Sequence, residues 1–384
     1  MATQTVSALE TAASVETVSN AAEFGALESE WNSLLQSSAA DCFFLTFEWL
    51  ATWWKHLGGE HTLAIRTVRV GGLLVAIAPL AMRRARPLEG HLLPALEFLG
   101  SGFAGSDYLD LIVREGYEES AIGALARELR ASNSVSAFTL RLSNVRQPDS
   151  LAARLMALLR TDGWHADEIQ INVCPFIELE GHSWDSFLGS LGSETRYNFN
   201  RKWKRLNRDF TVEFDEATRE TVSESIALLI AQHNQRWRDR GGSDAFHTAA
   251  LPAFHRDICE IALGRGWLRL YTLKLNGSAA ASLYGFLYRG TFNFYQSGFD
   301  PAFEKHSVGF LTMGCAIQKA LAEGAREYDL LHGNESYKSH WTSQSRPLGR
   351  LEIHPPGLAG LASQGLLQMG RTYRNVARRV LRST

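Results

Sequence analysis

Apolar and polar positions between residues 267 and 296 follow the pattern of a β-meander. Three stretches rich in aromatic and branched residues, Trp267–Leu275, Ala279–Tyr288 and Thr291–Gln296, are separated by Asn276-Gly277 and Arg289-Gly290. An Asn-Gly pair between two apolar stretches is the strongest local signal for a hairpin, because both residues accept the positive φ angles of the turn. The pattern therefore predicts three consecutive antiparallel strands.

A loop, a helix and a further strand are predicted after the meander. The loop covers Ser297–His306, the helix Ser307–Glu323 and the strand Glu327–Leu331, and Gly324 stands where a helix commonly ends. A strand that leads through a loop into a helix N-terminus can hold a phosphate group with backbone N–H groups. This order of elements predicts a site for a phosphorylated cofactor.

Strands followed by helices occur twice along the chain. This order predicts an α/β protein with two tandem lobes, each a mixed, mostly antiparallel sheet flanked by helices. The first lobe, residues 21–165, has predicted helices at Phe47–His56, Glu118–Ala131 and Ser150–Thr161, and strands at Thr62–Val70, Leu73–Met82, Leu96–Leu99, Asp107–Val113 and Ala137–Leu142. The second lobe, residues 166–355, begins with a strand at Asn172–Leu179 and helices at Ser183–Leu191, Glu194–Asp209, Glu220–Arg240 and Leu251–Leu263. Residues 1–20 are rich in Ser, Thr and Ala and are predicted to be disordered.

Composition and charge exclude several classes of protein. The chain has 384 residues, enough for two or three domains, and its net charge of −2 gives no general attraction for nucleic acid. The cysteines Cys42, Cys174, Cys259 and Cys315 lack metal-ligand or redox spacing, so we expect reduced thiols, no metal site and a cytoplasmic location. The longest apolar run, Leu73–Met82, is too short to cross a bilayer.

The last segment, residues 356–384, is a basic tail. It follows Pro355, and its charged residues are all arginine: Arg371, Arg374, Arg378, Arg379 and Arg382. One hypothesis is a basic amphipathic helix that contacts anionic lipid peripherally at the inner face of a membrane. The alternative is a solvated terminal helix that packs on its own protein.

The predicted loop and its flanks hold the candidates for cofactor binding. Ser307 is placed to cap the helix, Gly309 lets a ligand approach its first turn, and Lys305 adds a positive charge for a diphosphate. The alternative is an ordinary capped connection, and the chain has neither a Gly-x-Gly-x-x-Gly run nor a Walker loop. The candidates are Tyr295, Gln296, Ser297, Lys305, His306, Ser307, Val308 and Gly309.

Candidates for substrate binding lie on two predicted helices of the second lobe. On Glu194–Asp209, aromatic residues at helical spacing indicate a packed face, and arginines line up on another face. That arginine row could bind an acidic group of the substrate or be a solvated basic face. On the long helix that follows, His233 and Trp237 share a face and could line an acceptor pocket or simply pack together. The candidates are Arg196, Arg201, Arg205, His233 and Trp237.

Polar groups cluster where the last predicted strand ends. Acyl transfer to an amine needs one group that takes a proton from the nucleophile and another that donates to the leaving thiolate. Carboxylates or a histidine can do the first, and a tyrosine or lysine the second. The alternative is a structural pair between Asp329 and Lys338. The candidate catalytic residues are Asp329, His332, Glu335, Tyr337 and Lys338.

Several stretches, spread over about residues 40–345, are similar to those of one family. They are Phe47-Glu48-Trp49-Leu50 with Trp53-Trp54 and Gly58, Asp107-Tyr108-Leu109-Asp110, Arg196 through Leu206, Trp237-Arg238 with Gly241, and Tyr328-Asp329-Leu330-Leu331 with Gly333 and Tyr337-Lys338. With these residues the chain resembles the GNAT superfamily, and more narrowly the CelD/BioF2-like acetyltransferase group, relatives of the FemAB aminoacyl transferases.

The resemblance implies two GNAT-like lobes, with acetyl-CoA or a longer acyl-CoA bound in the second. The pantetheine arm would pair with the edge of Thr291–Ser297, and the pyrophosphate would lie at Lys305–Gly309. The chain departs from the usual Gln/Arg-x-x-Gly-x-Gly/Ala loop, since only Gly309 matches. A second departure is His332, where many relatives carry arginine.

The implied function is an acyl-CoA-dependent N- or O-acyltransferase of the CelD/BioF2-like type. Its acceptor would be a small molecule, a glycan or a lipid: a polysaccharide sugar, an amino acid or an amine-bearing lipid. One alternative is a FemAB-like aminoacyl transferase, which would use charged tRNA as the only nucleic-acid partner. Another is an inactive GNAT pair that acts as a binding module in exopolysaccharide assembly.

Overall fold

The structure is a computed structural model that describes residues 13–238 and 248–382, with the backbone alone for 89, 236–238 and 371–382. Helices in these ranges are α1 (Ala21–Ala26), α2 (Glu28–Gln36), α3 (Phe47–Leu57), α4 (Glu118–Val135), α5 (Leu151–Thr161), α6 (Trp184–Ser190), α7 (Ser193–Asp209), α8 (Val222–Arg238), α9 (Ala250–Gly264), α10 (Val308–Ala322) and α11 (Leu358–Arg382). Strands are β1 (Ser14–Val18), β2 (His61–Leu63), β3 (Ile65–Val70), β4 (Leu73–Ala78), β5 (Leu80–Arg83), β6 (Ala95–Phe98), β7 (Ile112–Val113), β8 (Thr139–Arg146), β9 (His165–Glu178), β10 (Val212–Glu216), β11 (Leu268–Leu275), β12 (Ser278–Tyr288), β13 (Thr291–Phe299), β14 (Glu327–Asp329) and β15 (Ser345–His354).

One sheet runs through both lobes and positions the rest. Its 11 strands have the order β10-β11-β12-β13-β14-β9-β15-β8-β6-β5-β2, and a second sheet of 4 strands has the order β1-β3-β4-β7. The long strand β9 joins the two halves, because its last residues pair with β14 and the rest pair with β15. β15 also pairs with β8. The α/β class with mixed, mostly antiparallel strands is confirmed, but the end of the second lobe completes the sheet of the first.

Helices cover both faces of the meander formed by β11, β12 and β13. On one face, Phe199 of α7 and Leu311 of α10 belong to the same buried cluster. On the other face, α8 and α9 pack on the sheet, and α3 of the first lobe packs on α9. Trp49 of α3 meets Phe254 of α9 edge-on, with ring centroids 4.9 Å apart. Buried aromatic pairs of this kind stabilise the contact beyond their area alone, so the two lobes are held in one arrangement.

The strands β13 and β14 part soon after they meet. They run parallel and pair only at Thr291–Asn293 with Glu327–Asp329. β14 then ends, whereas β13 continues to Phe299 beside β12. A register shift pairs Tyr284 with Gln296 but the next residue with Phe294, so Tyr295 is the extra residue of a bulge. The result is a wedge-shaped opening in the sheet.

Differences from the predicted elements have local causes. β1 lies within the segment 1–20 that was predicted to be disordered, and its Ser14–Val18 pairs with β3. The predicted strand Leu73–Met82 is divided at Pro79, which has no N–H to donate, and its two parts enter different sheets. The predicted strand Asp107–Val113 is a strand only at Ile112–Val113, because Tyr108 has a φ of 59° and leaves the extended region. The helices α1 and α2 and the strands β10 and β15 were not predicted.

No helix in the described ranges combines the length and the apolar character that crossing a bilayer requires.

Close packing of α7 against α10 gives a stability test. A Cβ atom on Gly314 would lie 2.2 Å from Cε2 of Phe199, whose ring is itself enclosed by Trp184, Phe310 and Trp341. We expect Gly314→Ala to lower the free energy of unfolding by about 1–3 kcal/mol through overpacking.

The matched control is Gly123→Ala in α4, where the new methyl would meet only Nη1 of Arg127 at 3.5 Å. That change should raise the free energy of unfolding by about 0.5–1 kcal/mol, because alanine is the better helix former. Urea unfolding of both variants measures the difference, and equal effects of the same sign would contradict the packing.

Candidate functional site

Two cavities flank the opening between β13 and β14. The first, which we call the α10 cavity, has a volume of about 330 Å³ and is bordered by α7, the end of β13 and the start of α10. The second, the His332 cavity, has a volume of about 430 Å³ and is bordered by β13, the chain after β14 and a first-lobe loop that includes Gly102 and Phe103. Tyr337 lines both, so the two spaces meet at this side chain.

The α10 cavity brings a helix N-terminus and a lysine together. Ser307, Val308 and Gly309 line it at the start of α10, where the first N–H groups have no partner within the helix. Ser307 precedes the helix as predicted, but it adopts a left-handed conformation (φ 57°) and makes no side-chain cap. Lys202 of α7 also lines the cavity, with its ammonium 5.4 Å from the ring centroid of Phe310. This combination of charge and N–H groups suits an anion.

The edge of β13 that faces the opening carries backbone groups without a neighbouring strand. The N–H of Asp300 donates to Ala280 O of β12. Because the direction of backbone bonding alternates along a strand, the N–H groups of Ser297 and Phe299 point away from β12 and towards the opening. There the Ser297 N–H donates to the Oε1 atom of Gln296 at 3.0 Å. The Gln296 side chain thus occupies the position that a carbonyl of an added strand would take.

His332 forms a hydrogen-bonded pair with a carboxylate from the first lobe. Its Nδ1 lies 2.9 Å and 3.0 Å from the two carboxylate oxygens of Asp107, and its backbone N–H donates to the same group at 2.8 Å. Asp107 is fully buried and also accepts from the thiol of Cys174. Because an ionised carboxylate only accepts, the neutral imidazole carries its proton on Nδ1 and presents the lone pair of Nε2. The bond to Asp107 raises the pKa of His332 above its ordinary value.

Asp329 lies on the other side of the same first-lobe segment. The hydroxyl of Tyr108 donates to its carboxyl at 2.6 Å, and the N–H of Leu331 and the guanidinium of Arg346 donate at 2.7 Å and 3.3 Å. Burial raises the pKa of Asp329 to about 7. It lines a third cavity, of about 490 Å³, together with Tyr108 and Arg346, and not the His332 cavity. Asp329 is therefore held as a link between the lobes.

Three residues near this link have unfavourable backbone conformations. Tyr108, Asn144 and Leu331 all have positive φ angles, of 59°, 60° and 54°. For residues with a Cβ this conformation is costly and persists where surrounding contacts enforce it, which occurs most often at functional sites. Asn144 donates to the carbonyl of Ser106 and so fixes the first-lobe segment from its other side.

Lys338 has a structural position. It is buried, and its ammonium donates to the carbonyls of Leu331 and His332 at 3.2 Å and 2.8 Å and pairs with Glu335 at 2.9 Å. Asp329 and Lys338, considered above as an alternative structural pair, bond to other partners instead. The ammonium instead fixes the turn that presents the His332 ring.

Of the predicted substrate residues whose side chains the structure describes, none lines either of these two cavities. Arg196 and Arg201 are exposed on α7, and Arg205 pairs with Asp209 of the same helix at 3.5 Å. His233 is buried on α8 where the helix backbone crosses Gly298. The side chain of Trp237 lies outside the described residues.

The predicted cofactor residues divide between the two cavities. Ser297, Ser307, Val308 and Gly309 line the α10 cavity, and Tyr295 and Gln296 line the His332 cavity, with the Tyr295 hydroxyl donating to Ala104 O. Neither Lys305 nor His306 lines them, and the ring of His306 packs on Phe210 at 5.0 Å.

The prediction from sequence overlooked Asp107 and Tyr108 as site residues and Lys202 as the cation at the cavity. No local pattern connects Asp107 with His332, which is 225 residues away. For Lys202 the signal was present: it is next to Trp203, on the packed side of α7, whereas the chosen arginines are on the exposed side.

Comparisons with known proteins agree with this architecture. Residues 193–339 match the family described as acetyltransferase (GNAT) domain. The fold resembles that of FemX, with a TM-score of 0.61 and 12% identity over 88% of this chain and 96% of FemX. It also resembles a conserved protein of unknown function from Bacteroides thetaiotaomicron (TM-score 0.54, 13% identity, 88% and 99% coverage) and the C-terminal domain of a putative lysylphosphatidylglycerol synthetase from Agrobacterium fabrum (TM-score 0.51, 11% identity, 88% and 95% coverage).

No protein of curated function matches the chain in sequence. At the identities of the structural matches, what they share with this chain is the fold. Residues 193–339 thus contain a stretch that matches the GNAT domain, and over most of its length the chain shares the fold of FemX.

Proposed function

We propose that the protein transfers an acyl group directly from acyl-CoA to an amine or a hydroxyl group. The observation that carries the proposal is that the α10 cavity and the His332 cavity meet at Tyr337, beside the open edge of β13. One cavity offers groups that hold a phosphorylated arm, and the other offers a histidine oriented by a buried carboxylate. The reaction would take place where the two spaces join.

The α10 cavity is the proposed site of the donor. The pantetheine arm would lie along the open edge of β13 and replace the Gln296 side chain as acceptor of the Ser297 N–H. The pyrophosphate would lie between Lys202 and the first N–H groups of α10, where charge and helix dipole act together. An N–H of the open edge would also polarise the thioester carbonyl.

The chemistry requires one base and one acid. The acceptor attacks the thioester carbon, its proton passes to Nε2 of His332, and the new C–N or C–O bond replaces the C–S bond. The leaving thiolate takes a proton from the hydroxyl of Tyr337, and solvent then restores both side chains. Asp107 keeps the imidazole in the required tautomer and stabilises its charged form. Asp329 and Glu335, the other predicted bases, bond to other groups in the link and the turn.

The His332 cavity is the proposed acceptor site. Its rim carries the exposed ring of Phe103, which suits the flat apolar face of a sugar or the aliphatic part of a lipid headgroup. Asn144 and Asn172 add amide groups at the same rim. The relative from Agrobacterium is named for lysylphosphatidylglycerol, an amine-bearing lipid, which supports keeping such a lipid among the acceptors beside a sugar and an amino acid.

A second candidate is transfer of an aminoacyl group from charged tRNA. One observation favours it: α7, which borders the α10 cavity, exposes a row of cations to solvent. An exposed basic row can follow a phosphate backbone. The cations are Arg196, Arg201, Lys204, Arg205 and Arg208. Activity that requires charged tRNA, with none from acyl-CoA, would select this function over the first.

Binding of CoA tests the donor site. Lys202→Ala should weaken CoA binding about tenfold, because a charge-assisted contact to phosphate contributes roughly 1.5 kcal/mol or more. Lys204→Ala is the matched control, since it removes the same charge from the solvent side of the same helix. Isothermal titration calorimetry measures both. Equal weakening in the two variants would assign the effect to net charge. Absence of CoA binding to the unmodified protein would contradict the proposed donor and leave charged tRNA as donor or a binding module without enzymatic activity.

The pH dependence of turnover tests the base. Only neutral imidazole accepts a proton, so kcat/KM should rise with pH through the pKa of His332, which the hydrogen bond to Asp107 raises above its ordinary value. Asp107→Asn removes the charged group that accepts from His332. The rise in kcat/KM should therefore move to lower pH, and the value that kcat/KM reaches at high pH should fall about 100-fold or more. His332→Gln should abolish this rise of kcat/KM with pH.

Asp329→Asn is the control for that experiment. The change removes a buried carboxyl of the same link without touching the imidazole, so the rising limb should keep its midpoint even if the protein is less stable. If the rise of kcat/KM with pH is kept in His332→Gln and lost in Asp329→Asn, Asp329 is the base.

A further inference from the structure

The helix α11 leaves most of its large apolar side chains exposed where it packs on the protein. Leu358, Leu361, Leu366 and Met369 are 86%, 48%, 39% and 62% exposed. At ~100° per residue these positions fall on one side of the helix. The side that faces the protein has Gly360, Ser363 and Gln364 together with one half-buried leucine, Leu367. Amphipathic helices of globular proteins normally bury the apolar side, so this exposed side lacks its usual cover.

The opposite side of α11 fixes this orientation. Ser363 is buried, and a Cβ on Gly360 would lie 1.8 Å from Pro355 O, so the helix start sits directly against the preceding turn. Gln364 and Gln368 donate from their side-chain amides to Asp167 of β9, at 3.3 Å and 3.2 Å. The polar contacts hold the apolar side away from the body of the protein.

In the sequence, the apolar spacing continues to the end of the helix, and basic residues accompany it. Tyr373, Val376 and Val380 continue the helical spacing of the apolar positions, and the five arginines from Arg371 to Arg382 fall between them. There is no Asp or Glu after Glu352. A long helix with an apolar side, whose charged residues are all arginine, matches helices that lie in the headgroup region of a membrane.

We propose that α11 docks the protein onto the surface of an anionic lipid bilayer. The apolar stripe would enter the boundary between headgroups and acyl chains, and each arginine near the surface would add about 1 kcal/mol of attraction to anionic lipid. A second copy of the chain is a poorer occupant, because pairing the stripes would bring two sets of five arginines together without an acidic partner in the helix. The proposal is independent of the chemistry at the two cavities.

Co-sedimentation of the full-length protein with vesicles tests the proposal. With equal parts of phosphatidylglycerol and phosphatidylcholine, the protein should bind at least tenfold more tightly than with phosphatidylcholine alone, and the excess should shrink as salt is raised. The triple variant Leu361→Glu, Leu366→Glu, Met369→Glu should lose this binding at least tenfold.

The control is the double variant Leu88→Glu, Val135→Glu, which adds charge at two almost fully exposed apolar residues elsewhere. It should bind anionic vesicles like the unmodified protein. Equal binding of the triple variant, or equal loss in both variants, would overturn the proposal. So would a stable dimer that fails to bind vesicles and that the triple variant converts to monomer, because the stripe would then be an interface between copies.

Discussion

Two parallel strands that part early determine where this protein can hold a ligand. β13 and β14 pair over three residues and then separate, which leaves backbone groups of β13 without a neighbouring strand inside a protein interior. Such groups need a partner, and the Gln296 side chain supplies one for Ser297. Both cavities, the junction at Tyr337 and the edge on which we place the donor are consequences of this separation.

The first lobe contributes to the opening rather than lying beside it. Two consecutive residues of one loop, Asp107 and Tyr108, reach across and bond to His332 and Asp329, on either side of the end of β14. A buried carboxylate is costly unless several donors surround it. The donors to Asp107 belong to the second lobe, and Asp329 accepts from Tyr108 of the first lobe in addition to donors of its own lobe. Site geometry and lobe arrangement are thus stabilised by the same contacts, and the positive φ angles of Tyr108 and Leu331 are enforced by them.

Much of the second lobe could be predicted from local patterns, whereas the site could be predicted only in part. The meander and α10 follow from hairpin signals and helical spacing, and the polar residues after β14 were singled out as candidates because they cluster within a few positions. β15 could not be placed, because strand pairing with β8 and β9 depends on contacts between distant segments. For the same reason Asp107 and Tyr108 read as parts of a strand. The arginines of α7 were preferred to Lys202 because spacing shows which residues share a face, but not which face lines a cavity.

The proposal that the donor lies along the open edge of β13 calls for a crystal structure of the protein with CoA bound. It predicts the pantetheine arm along the open edge of β13, a pantetheine carbonyl in place of Gln296 at the Ser297 N–H, and the sulfur atom beside Tyr337. CoA bound elsewhere, with the contact between Gln296 and the Ser297 N–H intact and only the protein's own side chains in the opening between β13 and β14, would contradict it.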